Sequence, residues 1–410
     1  MLQTNWGSTD TLRVVTENIF AIWWDPKTGD HSGDVPYMLQ KLMLIRNDCL
    51  DNLGMSDPPN PSYGFFYNVY IHYDEENGEQ DLFPNGWAYG QGTDPFGLPY
   101  LTVPHGGIYS PTLYHEGFHI FQYDSNSPGF DYSGDTMWYI ESSAQWYMAN
   151  YNNDRETYVE AGAILGNPQL ALWHSFANGA PEDPIGQDGR AGWMYGVRQY
   201  GMHTLLHYLT DVKGVDRSFI TDGFYAETNL SPQEYLYTKI GSDIFRSHFA
   251  NWAAYNTAGM QYLTKDQVER ALLEITLAGD WNLFRPSVWY SEDAGTNGEW
   301  VEPPKELAVR GWAYNVFNIT NSLTTSYSFE LQGDILGSQN APAHFVGRIV
   351  VMNNVGPKYY EMEMSDALNG KAIISVTSED SKIFLIVASV PEYFESYQHY
   401  PYKVKISVGE

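Results

Sequence analysis

The stretch SPTLYHEGFHIFQY, from Ser110 to Tyr123, carries two histidines four residues apart with a glutamate directly after the first. On a helix, four residues advance the chain by about 400°, leaving the imidazoles of His115 and His119 roughly 40° apart and one turn along. Both can then reach one tetrahedral ion. Glu116 falls on the other side of His119, beside the ion and not on it, where a general base can take a proton from an attacking water. The flanks predict the helix. Ser110 reads as the N-cap and Pro111 as the first helical residue, where a missing N–H costs nothing. Leu113, Tyr114, Phe118, Ile120 and Phe121 supply apolar positions until DSNSPG stops the run.

Histidines and glutamate at this spacing arise by chance in about one such chain in fifty. The plain structural reading is two satisfied histidines on a helix face, so a third ligand decides. Glu141, in MWYIESSAQW on the next helical pattern, is the candidate. A loop with Pro128, Gly129 and Gly134 separates the two patterns and lets them run antiparallel or cross. Trp, Ile, Ala, Tyr and Met surround Glu141, and a carboxylate in such company needs a neutralising partner. Zinc is one; the competing reading is that Glu141 marks the wet edge of its helix.

The pattern H-E-x-x-H followed by Glu on a later helix resembles the gluzincin metallopeptidases. The preceding order of strand, long helix and strands is similar to the zincin fold. In that fold the strand just upstream of the active-site helix is an edge strand that pairs with an extended substrate. LPYLTVP (98–104) is its counterpart here, which makes Tyr100, Thr102 and His105 candidate substrate-binding residues. ENIFAIWW, LYHEGFHIFQY, IESSAQWYMANY and LIVASVPEYFESYQHYPYKVKIS resemble the Svx-type family of secreted bacterial proteins, a resemblance that covers nearly the whole chain. It implies His115, His119 and Glu141 as ligands and Glu116 as the base. Thermolysin-like relatives place Asp four residues after the ligand Glu; this chain has Gln145, so the support of the histidines must differ.

Peptide hydrolysis also needs a donor for the oxyanion. The helical pattern 192–209 offers Tyr195, Arg198, Tyr200, His203 and His207, which cannot all share one face; Tyr195 and His203 are the candidate catalytic pair. The competing reading of Tyr200, His203 and His207 is a core-edge stripe. DYSGD (131–135) and DEENGE (74–79) are oxygen-rich enough to hold Ca2+, but match no EF-hand loop and read first as solvated turns.

The elements that must position these residues divide into two blocks. Strands are expected over 12–24, 63–73 and 98–104, and a long helix over Val35 to Leu53 that buries the lone Cys49. Mostly helical pattern continues to Gln267, including 242–256. SEDAGTNGEWVEPPKE (291–306) reads as a linker, after which the period becomes two in six or more strands. The expected fold is α+β: a zincin-like catalytic domain over 1–300, helical from about 136, then an antiparallel β-sandwich over 301–410.

Lys plus Arg number 22 against 50 Asp plus Glu, a net charge of −28, which repels nucleic acid and anionic membrane. Tyr number 32 and Trp 13, which suits cores as well as sugar- and peptide-binding surfaces. One cysteine excludes an intrachain disulfide, no stretch is long and apolar enough to span a bilayer, and MLQTNWGSTD lacks the basic and apolar regions of a signal peptide. The expectation is an exported bacterial zinc endopeptidase with its signal removed, acting on a protein, peptide or glycoprotein. The alternative is a catalytically silent zincin scaffold that binds carbohydrate or glycoprotein, for which an exposed aromatic row on the sandwich would speak.

Overall fold

The run from Arg13 to Trp24 does not form one strand. It folds back between Glu17 and Phe20, so that β1 (Arg13–Glu17) pairs antiparallel with β2 (Phe20–Trp24), Arg13 opposite Trp24. The structure is a computed structural model. It describes residues 13–17, 19–58, 67–72, 100–151, 160–176, 190–260, 262–269, 288–290, 297–304, 307–320, 326–334, 342–394 and 398–409. DEENGE (74–79) lies outside the described residues.

By internal contacts the chain divides into two units. One comprises 1–132, 140–157 and 215–230; the other comprises 133–139, 158–214 and 231–410.

In the first unit, β2 leads through α1 (Val35–Asp51) to β3 (Tyr67–His72), and β4 (Tyr100–Pro104) completes a sheet in the order β1-β2-β3-β4. β2, β3 and β4 are parallel, buried on both faces and rich in Tyr, Val and Ile, as parallel strands require. α1 buries Val35, Met38, Leu39, Leu42, Ile45 and Cys49, a stripe at helical spacing. β4 is the last strand of the sheet among the described residues, so one of its edges has no strand partner there.

The next helix, α2 (Thr112–Gln122), begins one residue later than the sequence suggests. Pro111 takes the cap position, while the Ser110 hydroxyl still accepts the Thr112 amide at 3.2 Å. Helix α3 (Met137–Tyr151) follows after two short 3-10 turns. Gly117, inside HEGFH, packs closely against α1: a Cβ there would stand 2.7 Å from Cδ1 of Ile45, which would have to shift. Phe118 stacks on Tyr147 of α3, with ring centroids 4.6 Å apart at 14°. These two contacts set the depth and register of α2.

In the second unit, α4 (Ala161–Gly166), α5 (Arg190–Gly201) and α6 (His203–His207) precede a π turn over 208–212. The predicted single helix 192–209 is thus broken at Met202. Arg198, wholly buried, donates to the carbonyls of Asn167 and Leu170 at 3.2 and 2.9 Å, which ties the helix to the preceding loop.

Among the described residues, ten further strands form two five-stranded sheets. They are β5 (Val288–Tyr290), β6 (Asn297–Val301), β7 (Ala313–Thr320), β8 (Ser326–Gly333) and β9 (Phe345–Asn353). β10 (Gly356–Glu361), β11 (Glu363–Met364), β12 (Asn369–Ser375), β13 (Asp380–Ser389) and β14 (Tyr402–Val408) follow. The orders are β10-β9-β13-β7-β5 and β11-β12-β8-β14-β6, antiparallel throughout except for the parallel pair β5–β7. Alternate residues of both sheets, among them Phe317, Phe329, Ile349, Leu385, Tyr402 and Ile406, share one core. The expected linker 291–306 therefore contains a strand: β6 pairs with β14, its Gly298 at a φ of +82° accounting for the loop-like composition. The fold is α+β with several sheets, mostly antiparallel in the C-terminal half.

Candidate metal centre

α2 and α3 are buried almost all round: every residue from Leu113 to Gln122 and from Trp138 to Ala149 is buried. Yet they carry His115, Glu116, His119, Gln122, Glu141, Ser142, Ser143 and Gln145. Polar groups so placed must find partners in each other.

His115, His119 and Glu141 converge, with one candidate ligand atom from each within 4.8 Å of the others. Nε2 of His115 lies 3.1 Å from Oε2 of Glu141, and Nε2 of His119 lies 3.6 Å from the same oxygen. The imidazoles meet edge to face, centroids 4.7 Å apart.

The far nitrogens are spoken for by amides. Nδ1 of His119 donates to Oε1 of Gln122 at 2.5 Å, and Nδ1 of His115 donates to Oε1 of Gln145 at 3.1 Å. The orientation of Gln122 is fixed, because its Nε2 donates to the Ile140 carbonyl at 3.1 Å and to Oγ of Ser143 at 2.7 Å. Its oxygen must therefore face His119, which places the His119 proton on Nδ1 and a lone pair on Nε2. The Gln145 oxygen favours the same tautomer in His115, which would leave two imidazole lone pairs and a carboxylate oxygen pointing at one locus. That arrangement is repulsive unless a proton or a cation lies between them.

The electrostatics agree. Burial would raise the Glu141 carboxyl, but its contacts with His115 and His119 hold it well below the usual carboxylate range. Burial would lower His119, but Glu141 and then Glu116 raise it. The donor set fits a metal ion. A tetrahedral ion with N and O donors at 2.0–2.2 Å keeps them roughly 3.3 to 3.6 Å apart, close to the two separations from Glu141. Two imidazoles and one carboxylate suit zinc or a similar borderline divalent ion.

Of the other predicted residues, Glu116 is buried on α2 and its charge is felt at His119. Tyr100 and Thr102 are buried side chains of β4, Tyr100 packed with Ala21, Trp23 and Tyr70. His105 is half-buried in the 3-10 turn after β4, its ring 6.3 Å from that of His31. Tyr195 and His203 belong to the second unit. Tyr195 sits in α5 with its side chain outside the described residues; His203 is wholly buried, edge-on to His207 at 5.4 Å. In DYSGD, Asp131 and Asp135 join no metal-ligating group among the described residues.

Two participants escaped the sequence reading. Gln122 lies three residues after His119, a spacing at which helical side chains meet. Tyr132 donates its phenol hydrogen to Oε1 of Glu141 at 2.5 Å. No local pattern marks it, because the contact is made by a loop.

No family model matches the chain, and no curated protein matches it. A solved structure of a family GH115 4-O-methyl-α-glucuronidase with specificity for decorated arabinogalactans is similar at a TM-score of 0.17 and 9% identity. The match covers 83% of this chain and 51% of that one. At that TM-score it assigns neither fold nor chemistry.

Proposed function

We propose that the chain is a zincin-like, zinc-dependent hydrolase whose target is the peptide bond. One observation carries the reading: Nε2 of both histidines and one carboxylate oxygen converge on a single point, with each Nδ1 at hydrogen-bond distance from a glutamine amide oxygen. His115, His119 and Glu141 would hold the ion. Bound there, zinc supplies a Lewis acid that polarises a carbonyl and acidifies water.

The chain's own residues supply the rest. Glu116, next to His115 and not among the converging donors, takes a proton from the attacking water and delivers it to the leaving amine. β4 is the last strand of its sheet among the described residues, and an edge strand there would offer backbone groups to an extended substrate, which supports a peptide as the target. Burial of the ligands excludes bulk water and strengthens every charge interaction at the centre. An exported bacterial setting is part of the same proposal.

The silent carbohydrate-binding alternative asks for an exposed aromatic row. Among the described strand residues the exposed large aromatics, Trp300 of β6 and Tyr359 of β10, stand on different sheets. Trp300 is overlain by Lys403 and Lys405, and Tyr359 stacks on Tyr255.

The test is Glu116→Gln with a peptide library and zinc analysis. The variant is expected to keep its zinc and lose cleavage that the wild type shows and a chelator abolishes. Cleavage retained by Glu116→Gln would remove the general base from the account.

A further inference from the structure

We propose that Tyr132 is a positioning residue of the metal centre: its phenol occupies the outer oxygen of Glu141, so that the carboxylate offers its inner oxygen alone. The inference rests on the zinc reading above. It starts from an asymmetry within one carboxylate. Oε2 of Glu141 faces Nε2 of both histidines, whereas Oε1 accepts the Tyr132 O–H at 2.5 Å. A hydrogen bond to an ionised acceptor at this length is strong. It competes directly with any second bond from Oε1 to an ion.

That competition has a chemical consequence. Three protein ligands leave a tetrahedral ion one open position, which a catalytic site needs for water and substrate. A glutamate closing through both oxygens would crowd that position and raise the coordination number to five when water also binds. By holding Oε1, Tyr132 preserves the open position.

Tyr132 is built into place. It follows the 3-10 turn Pro128–Phe130 in the connection between α2 and α3, and this connection is tied to the segment 224–230. Oγ of Ser125 donates to the Phe224 carbonyl at 2.6 Å, the Asn126 amide donates to the same carbonyl at 3.1 Å, and the Gly129 amide donates to Thr228 at 3.0 Å. The approach at Gly129 is so close that a Cβ would meet the Leu230 carbonyl at 2.0 Å, backbone that cannot move aside. The Tyr132 ring stands edge-on to Tyr123, whose own ring lies 5.6 Å from that of His119. Tyr132 remains 40% exposed while His115, His119 and Glu141 are at most 6% exposed, so the phenol marks the solvent side of the centre.

The experiment compares the full chain with Tyr132→Phe, both loaded with Co2+ in place of zinc, by visible absorption. Coordination number governs the intensity of the cobalt bands, which are strong for four ligands, weaker for five and weakest for six. The wild type is expected to show the strong bands and the variant a severalfold loss at equal cobalt content. Phe keeps the ring and its contact with Tyr123, so the metal-free variant should remain folded, which circular dichroism checks. Equal band intensities in the two proteins would overturn the role of Tyr132 while leaving the metal site standing. A wild type that binds neither cobalt nor zinc would overturn the zinc reading and this inference with it. A crystal structure of the zinc-loaded wild type gives the same decision without a variant. One Glu141 oxygen on the ion and the other on Tyr132 supports the assignment; both oxygens on the ion refute it.

Discussion

Nδ1 of His115 stands 3.1 Å from the amide oxygen of Gln145, one turn beyond Glu141 on the same helix. A single face of α3 thus presents both a candidate ligand and the group that orients another. The i, i+4 spacing on one buried helix makes this possible, because residues so spaced point the same way. Gln122 does the same for His119 from within α2. The centre orients its imidazoles with two neutral amides and adds no charge in doing so.

The amides should therefore matter to metal affinity without being ligands. Gln122→Leu and Gln145→Leu are each expected to weaken zinc binding about 10- to 100-fold. Gln145→Glu should restore or exceed wild-type affinity, since a carboxylate also accepts from Nδ1 and makes the imidazole more basic. Chelator competition measures all three. Unchanged affinity in both Leu variants would show that the amides do not orient the ring nitrogens.

Gly117 answers a packing demand, and its replacement should reveal the neighbour responsible. Alanine favours a helix over glycine by about 1 kcal/mol. Against this, the new Cβ would meet Ile45 at 2.7 Å, and Ile45 is itself buried. Overpacking of this kind costs about 1–3 kcal/mol. Gly117→Ala should thus destabilise the wild type, yet stabilise an Ile45→Val background that lacks Cδ1. Urea denaturation of the four proteins in the cycle decides; the same sign in both backgrounds would refute the contact.

Buried neutral histidines predict the acid limb of stability. Burial, then the charges of Arg198 and Arg310, holds His174 down to about 3, and burial with His207 holds His203 well below its ordinary value. Their folded pKa values lie below the unfolded value of about 6.5. Below that pH the unfolded chain binds more protons, so stability is full above it and falls as pH drops toward the folded values. Each histidine contributes roughly 1.4 kcal/mol per pH unit to the slope. His174→Gln should make the fall between pH 6.5 and 4 shallower by about one proton. Urea midpoints across that range measure it, and an identical slope in the variant would contradict the assignment.

What the sequence made legible followed from local periodicity. His115, His119 and Glu141 could be read because each sits on a helix whose period and flanking residues show in the chain. The sandwich strands could be read because alternation marks a sheet with one buried face, as in β8. The misses share a different cause. The reversal between β1 and β2 interrupts a run of β-forming residues. β6 hides in a Gly- and Pro-rich segment because its strand character comes from pairing with β14. Tyr132 reaches Glu141 through a loop whose course is set by backbone bonds to Phe224 and Thr228, about a hundred residues along the chain. Tertiary placement of that kind has no signature in a window of sequence.

The central claim is that His115, His119 and Glu141 hold a zinc ion. Metal content after dialysis against trace zinc tests it most directly, on the wild type, His119→Ala and Glu141→Ala. The account predicts about one zinc per chain in the wild type and loss of zinc in both variants, whose circular dichroism should show them still folded. A wild type without zinc, or folded variants that retain it, would contradict the account.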